Sequence, residues 1–274
     1  MKFFLLIFLS ITLSITVISC GKHPSDLLRV GQASLYDFPL YVSAGDGIIW
    51  KFSSDTTKEA FVTGLNDPRG LAIDKYQNLY VVEFGTSRVL KYNLETKVQT
   101  VVAEGLLTPS VVAVDSFGDV YVNQEGPKNI MRIKDKKIIN TYSTRPTALA
   151  FGVNDIMLVG LFDLAKVLWG GEESSPSYTV QEPVMITTDG NGRVYVVEGT
   201  AINAKVYRFH QSEPTGVKVV ADTLSGATGI AVDSVGNIYI SEPGASRISL
   251  VTFRNEFFFW ANIVAPQYMA FTPY

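Results

Sequence analysis

Three glutamates close similar short stretches of this 274-residue chain. Glu83 follows Leu79-Tyr80-Val81-Val82, Glu198 follows Val194-Tyr195-Val196-Val197, and Glu242 follows Ile238-Tyr239-Ile240-Ser241. Carboxylates that recur in this way point toward related places in a repeated fold, and an oxygen-rich ring of that kind suits a hard cation. Two of the three already have another explanation, because Arg88 stands five residues after Glu83 and Arg247 five after Glu242. That recurrence fits an internal ion pair that orders the loop after each glutamate. Glu198 has no such arginine and is the more open to a functional role. A second series, Asp74, Asp115, Asp189 and Asp233, sits in turn-like segments such as Asp233-Ser234-Val235-Gly236-Asn237. There an aspartate accepts hydrogen bonds from the amides ahead of it, which makes these turn residues first.

Other chemistries are short of parts. With His23 and His210 as the only imidazoles and Cys20 as the only thiol, neither a histidine-based metal site nor a cysteine-rich zinc site can be assembled, and no internal disulfide can form. No Ser-His-Asp set stands out, since His23 lies near the amino-terminal end and His210 just after a predicted third strand, on the outer side of its unit. The Gly-Asp-Gly and Gly-Asn-Gly runs are turns, and no GxxxxGK[ST] phosphate loop is present. A formal charge of −3 and 18% charged residues, against about 25% in an average chain, disfavour both disorder and a phosphate-tracking surface. No nucleic-acid partner is expected, nor any cofactor apart from the cation weighed below.

The elements that must position these residues begin after an export segment. Residues 1–19 carry Lys2 and then a charge-free run from Phe3 to Ser19, which reads as a signal peptide. As an alternative, a signal-anchor helix would be short and diluted by Ser10, Thr12, Ser14 and Thr16. Val17-Ile18-Ser19-Cys20 resembles the bacterial lipobox. The resemblance implies cleavage before Cys20, a diacylglycerol on its sulfur and an acylated new amino terminus. Several acyl chains at about 0.8 kcal/mol per buried methylene hold a protein stably where one would not. Residues 20–28 are then the lipidated cysteine and a short polar tether, and residues 29–274 the folded domain. Gly21, rather than Asp, after the cysteine implies an exported envelope protein sorted to the outer membrane, by resemblance to the enterobacterial rule.

Internal repetition sets the architecture. The segment from Pro68 to Tyr92 (PRGLAIDKYQNLYVVEFGTSRVLKY) returns from Pro109 to Ile133 and from Ala227 to Val251. A looser copy runs from Pro183 to Phe209 and a degenerate one from Pro146 to Trp169. Starts at 68, 109, 146, 183 and 227 are 41, 37, 37 and 44 residues apart, the period of a four-stranded propeller blade. The pattern Pro-x-Gly-aliphatic-Ala-aliphatic-Asp, then Gly-Asn-aliphatic-Tyr-Val, then Arg-aliphatic, resembles the NHL-repeat family over about residues 38 to 274. The copy at Pro146 departs most, with Phe151 at the aspartate position. Pro266 to Thr272 matches a first strand with no second to follow, and Pro39 to Phe52 matches strands two and three with no convincing first. Joined, they complete a blade, so an all-β, six-bladed β-propeller of four-stranded antiparallel blades is expected, closed by the C-terminal strand. A rival register through Gly31-Gln32-Ala33 is too polar for an inner strand.

In a propeller, the loops entering strand one and those joining strands two and three share one face around the channel, the usual ligand face. The first set supplies Asn66, Asp67, Arg69, Ser110, Arg145, Glu182 and Gln267. The second supplies Asp46, Glu83, Gln124, Glu125, Asp163, Glu198 and Glu242. Catalytic or binding residues should break the repeat, which singles out Arg69, Arg145, Glu182 and Glu198 as ligand-binding candidates. Either arginine could clamp a carboxylate or sulfate, or pair with a neighbouring acid. No residue is assigned a catalytic or metal-ligating role. The resemblance to NHL-type propellers implies a binding or scaffold module for a protein, glycan or small ligand, held to the membrane by lipid and monomeric. It also leaves open a lactonase or lyase assisted by calcium or zinc, as in some six-bladed relatives. Phe257-Phe258-Phe259-Trp260 in an outer strand, and Gly160-Leu161-Phe162 in a predicted loop, are expected as either packed aromatics or partner patches, with the loop the better candidate.

Overall fold

Short runs of alternating and β-branched residues, punctuated every few residues by Gly, Asp and Asn, fold into strands joined by tight turns. The computed structural model describes residues 38–54, 57–164, 166–174, 177–199, 202–211 and 213–271. The signal peptide, Cys20, His23 and the tether of the sequence reading lie outside them. The strands form six four-stranded antiparallel sheets, each a blade of one ring. Blades two to six run in chain order from their inner strands: Pro68–Ile73, Val112–Val114, Pro146–Phe151, Pro183–Thr188 and Gly229–Val232.

Blade one is composite, as its two halves in the sequence require. Its inner strand is Pro266–Phe271, paired with Leu40–Ala44 in the register Leu40 to Phe271, Tyr41 to Ala270 and Val42 to Met269. Ile49–Phe52 and Lys58–Val62 complete it. Closure ties the two ends of the described chain into one blade, and the radial arrangement leaves only short edges, protected at the channel.

Hydrogen bonds stitch five of the six blade junctions among the described residues. The Ser43 hydroxyl accepts from the Tyr268 amide at 3.0 Å and donates to the Arg69 carbonyl at 2.8 Å, joining blade one to blade two. The Gly70 amide donates to the Ser110 carbonyl at 2.9 Å, the Asn123 amide group to the Pro146 carbonyl at 2.7 Å, and the Thr147 hydroxyl to the Pro183 carbonyl at 2.6 Å. Ser241 donates to the Gln267 carbonyl, returning from blade six to blade one. Inner strands approach so closely here that a Cβ on Gly70 would stand 2.7 Å from the Ser110 carbonyl oxygen, and one on Gly229 only 2.1 Å from that of Gln267.

One apolar core runs through all six blades, from Tyr41 and Leu71 through Val111, Leu149 and Met185 to Ile230. Three further clusters fill the spaces between blades one and six, two and three, and four and five. The outer-strand aromatics divide by the two-residue period of a strand. Trp260 is buried against Phe52, Tyr239 and Phe38 at ring separations of 4.7, 5.0 and 6.2 Å, whereas Phe257 and Phe259 are half exposed.

Candidate functional site

The candidate residues sit on one face because a repeated backbone latch holds them there. In five blades the residue just before the inner strand's proline offers its carbonyl to the loop between strands two and three. Phe84 donates to Asp67, Glu125 to Thr108, Phe162 to Arg145, Gly199 to Glu182 and Gly45 to Ala265, at 2.9 to 3.3 Å. Four of these residues are left-handed, with φ of 51° at Asp67, 52° at Thr108, 44° at Glu182 and 42° at Ala265. That conformation is costly for a residue with a side chain, and it persists because latch and ring impose it. The face is therefore rigid at the positions where the repeat changes side chain.

Both candidate arginines are held by neighbouring acids. Arg69 forms an ion pair with Asp67 at 2.9 Å and lies 3.4 Å from the centre of the Phe84 ring. Arg145 reaches Asp163 at 3.3 Å and Glu125 at 3.9 Å, and lies 4.9 Å from the Phe162 ring. The bond from Arg145 holds the Asp163 carboxyl below its ordinary value against a small opposing effect of burial. Glu182 does not join either pair, and among the described residues its carboxylate has no hydrogen-bond or ion-pair partner. Beneath this group, Tyr268 is buried near Arg69, Glu125 and Asp67, and burial pushes its phenol up to about 12.

The recurring glutamates separate as their arginines do. Glu242 is wholly buried, with Arg247 at 2.8 Å, the Ser225 amide at 2.8 Å and the Ser249 hydroxyl on its carboxylate. Glu83 has the matching set in Arg88, the Asn66 amide at 2.9 Å and Thr86. Burial pushes both carboxyls up, but these donors outweigh it and hold both below their ordinary value. Gln124 fills the position in blade three, accepting from the Leu107 amide at 3.0 Å. Glu198 is 7% exposed and accepts one hydrogen bond among the described residues, from the Tyr207 hydroxyl at 2.9 Å. In blade four the position belongs to Leu161, which pairs with Pro146 as Glu198 pairs with Pro183. This corrects the loop expected at Gly160-Leu161-Phe162: Gly160 and Leu161 end a strand and Leu161 is core, because an apolar side chain at this position turns inward. Phe162 alone is in the loop, where it serves as the platform for Arg145.

The aspartate series is occupied by its turns. Asp74 accepts from the amides of Tyr76 and Asn78, each at 2.9 Å, and from the Tyr80 hydroxyl at 3.0 Å, and Asp233 accepts from the Asn237 amide at 2.7 Å. No group of three or more His, Cys, Asp or Glu stands close enough among the described residues to hold a metal ion. His210 ends a strand on the opposite face, 3.0 Å from the Asn191 carbonyl. Sequence reasoning missed the aromatic partners Phe84 and Phe162, and Tyr207, which adjoins no motif. It also missed a cavity of about 630 Å³ inside the channel at the lower ends of the inner strands, lined in part by Ile73, Val114, Phe151 and Phe271 and in part by the polar Thr187, Asp189, Asn191 and Asp233.

No protein-family model matches this chain, and no curated protein matches it in sequence. Solved structures do match in shape. A chain of the nidogen/laminin complex superposes with a TM-score of 0.72 at 12% identity, over 84% of this chain and 97% of that one. The likeness is one of fold. A streptogramin B lyase superposes at 0.60 with 15% identity, over 86% of this chain and 88% of that one. The virginiamycin B lyase of Staphylococcus aureus superposes at 0.59, again with 15% identity, over 85% and 88%. One architecture thus serves a protein assembly and a lyase, so function must be argued from the upper face itself.

Proposed function

We propose that this chain is an exported lipoprotein of the NHL-repeat type. It is acylated at Cys20, sorted to the outer membrane and monomeric, and its propeller is a rigid binding or scaffold module. Its ligand is a protein, a glycan or a small molecule taken on the upper face. The observation that carries the binding role is the pre-ordered charge array of that face: Arg69 with Asp67, Arg145 with Asp163 and Glu125, and Glu182, unpaired among the described residues, all on latched backbone. Donors and acceptors already fixed in place lose little entropy when a ligand exchanges for an internal partner. The complex in which one neighbour was solved, nidogen/laminin, supports a propeller as a protein-binding module.

A second reading is a lyase or lactonase, supported by the two lyase neighbours and by Glu198, a buried carboxylate with a single hydrogen-bond partner among the described residues. Calcium titration of the purified full chain, followed by melting temperature and elemental analysis, separates the two. The binding module is expected to take up no stoichiometric metal and to open no lactone. A stoichiometric metal that raises the melting temperature and is lost in Glu198→Ala defeats the binding-only role. For the anchor, Cys20→Ser is expected to abolish both processing and lipid label, and unchanged processing defeats it.

A further inference from the structure

We infer that the lower face of the propeller, opposite the candidate ligand face, rests on an anionic lipid bilayer. The inference builds on the anchor proposed at Cys20 and adds an orientation and a lipid-binding surface to it.

The path of the chain is the first ground. Leu40 pairs with Phe271 at the lower end of the inner strand, and Phe38 stacks on Trp260 at 6.2 Å and meets Phe271 edge-on at 6.5 Å. The chain between Cys20 and Phe38 therefore joins the propeller from the lower side. Its 17 intervening residues span about 56–61 Å when fully extended, so the anchor is tied to the lower end of blade one within that reach.

The chemistry of that face is the second ground. Its turns carry large apolar side chains at their tips, where polar residues are the rule. Tyr76 is 63% exposed, Phe117 75% and Phe253 46%, with Val153 and Val235 beside them. Lys75 lies 5.4 Å from the Tyr76 ring and Arg254 lies 5.2 Å from the Phe253 ring. An aromatic body with a cation next to it suits the headgroup level of a bilayer, where one end is apolar and the other wet.

A cationic cleft completes the surface. Between blades five and six, a cavity of about 300 Å³ is lined by the cations Arg193, Arg208 and Lys218, with His210 beside them and Val235 and Phe253 at its wall. Cross-strand register sets Arg208 against Lys218 and Arg193 against His210, with Glu213 as the other register neighbour of His210, so one side of blade five presents three cations. Arg193 has an acid nearby, Asp189 at 3.6 Å. This arrangement fits lipid phosphate.

The chain has one cysteine, so single reporters can be placed at will once Cys20 is acylated. The full lipoprotein carrying Tyr76→Cys, Phe117→Cys, Leu107→Cys or Asp163→Cys is labelled with an environment-sensitive fluorophore. It is then bound to phosphatidylglycerol/phosphatidylethanolamine vesicles, with the lipid on Cys20 verified by mass. Reporters at 76 and 117 are expected to shift to the blue and to be shielded several-fold from an aqueous quencher, while those at 107 and 163 stay exposed. Adding Arg208→Glu and Lys218→Glu is expected to reduce the shielding without changing the mass at Cys20. Equal quenching at all four positions in lipidated protein overturns the orientation and leaves the anchor standing. Absence of lipid on Cys20 overturns the anchor and the orientation with it.

Discussion

The Tyr207 hydroxyl donates to the Glu198 carboxylate across 2.9 Å, at the blade position where Glu83 and Glu242 are held by an arginine five residues on. Among the described residues a neutral phenol thus stands in for a guanidinium and two further donors, and Glu198 is the least satisfied buried acid of its series.

Tyr207→Phe is expected to destabilise the protein by about 1–3 kcal/mol, the range for leaving a buried acceptor unmade. Glu198→Gln, which keeps an acceptor oxygen, is expected to cost less. Urea unfolding of the two variants checks the order, and equal stability of Tyr207→Phe and the parent chain would show that Glu198 draws its solvation from elsewhere. Burial and the Glu198 bond push the Tyr207 phenol up to about 12, above the unfolded value. Its contribution is therefore complete below about pH 10 and lost as pH rises through about 12, with phenolate absorbance as the readout.

Arg247→Met is expected to cost about 2–4 kcal/mol, since it strands the fully buried Glu242 carboxylate, with the lower end reflecting a guanidinium that is one-third exposed. Adding Glu242→Gln should restore much of the loss. Because Glu83 and Glu242 are held below their ordinary values, the parent's stability is complete above about pH 4.5 and falls as pH drops through their folded values. The double variant should show a shallower acid limb in thermal melts from pH 3 to 7.

Gly229→Ala is expected to be the more damaging of the two inner-strand glycine substitutions, because its Cβ would meet the Gln267 backbone where Gly70's meets Ser110 at a longer distance. Overpacking against backbone costs about 1–3 kcal/mol, or roughly 2–4 °C in Tm per kcal/mol for a domain of this size. Calorimetry that ranks Gly70→Ala below Gly229→Ala would contradict the closure geometry.

Arg145→Ala removes ion pairs that are largely exposed to solvent, so its effect on stability is expected to stay within about 1 kcal/mol. Its effect on any ligand of the upper face should be much larger, and a ligand whose thermal stabilisation is indifferent to both Arg69→Ala and Arg145→Ala does not bind where the repeat breaks.

The ring, its blade count and its closure were legible in the residues, because a blade is a local object. Four strands and their turns must repeat within about 40 residues, and an unmatched first strand at one end needs its partners at the other. The turn aspartates were legible for the same reason, since Asp74 and Asp233 bond amides only two to four residues ahead. The pairs Glu83 with Arg88 and Glu242 with Arg247 lie across one hairpin, within reach of spacing alone.

What lay between blades or across longer loops was not legible. Leu161 reads as part of a loop until its register with Pro146 buries it. Tyr207 stands nine residues from Glu198 with nothing to mark it, and Phe84 and Phe162 become platforms only when the latch folds the loop back onto the strand entrance. The sequence by itself determined the repeat, hence six blades and the one cysteine proposed for an anchor, because local hydrophobic periodicity dictates strands. Only the tertiary structure decided which acid each upper-face arginine holds, which glutamate goes without one, and which face the incoming chain shares. Those relations join residues far apart in sequence, and distance in space has no signature in composition.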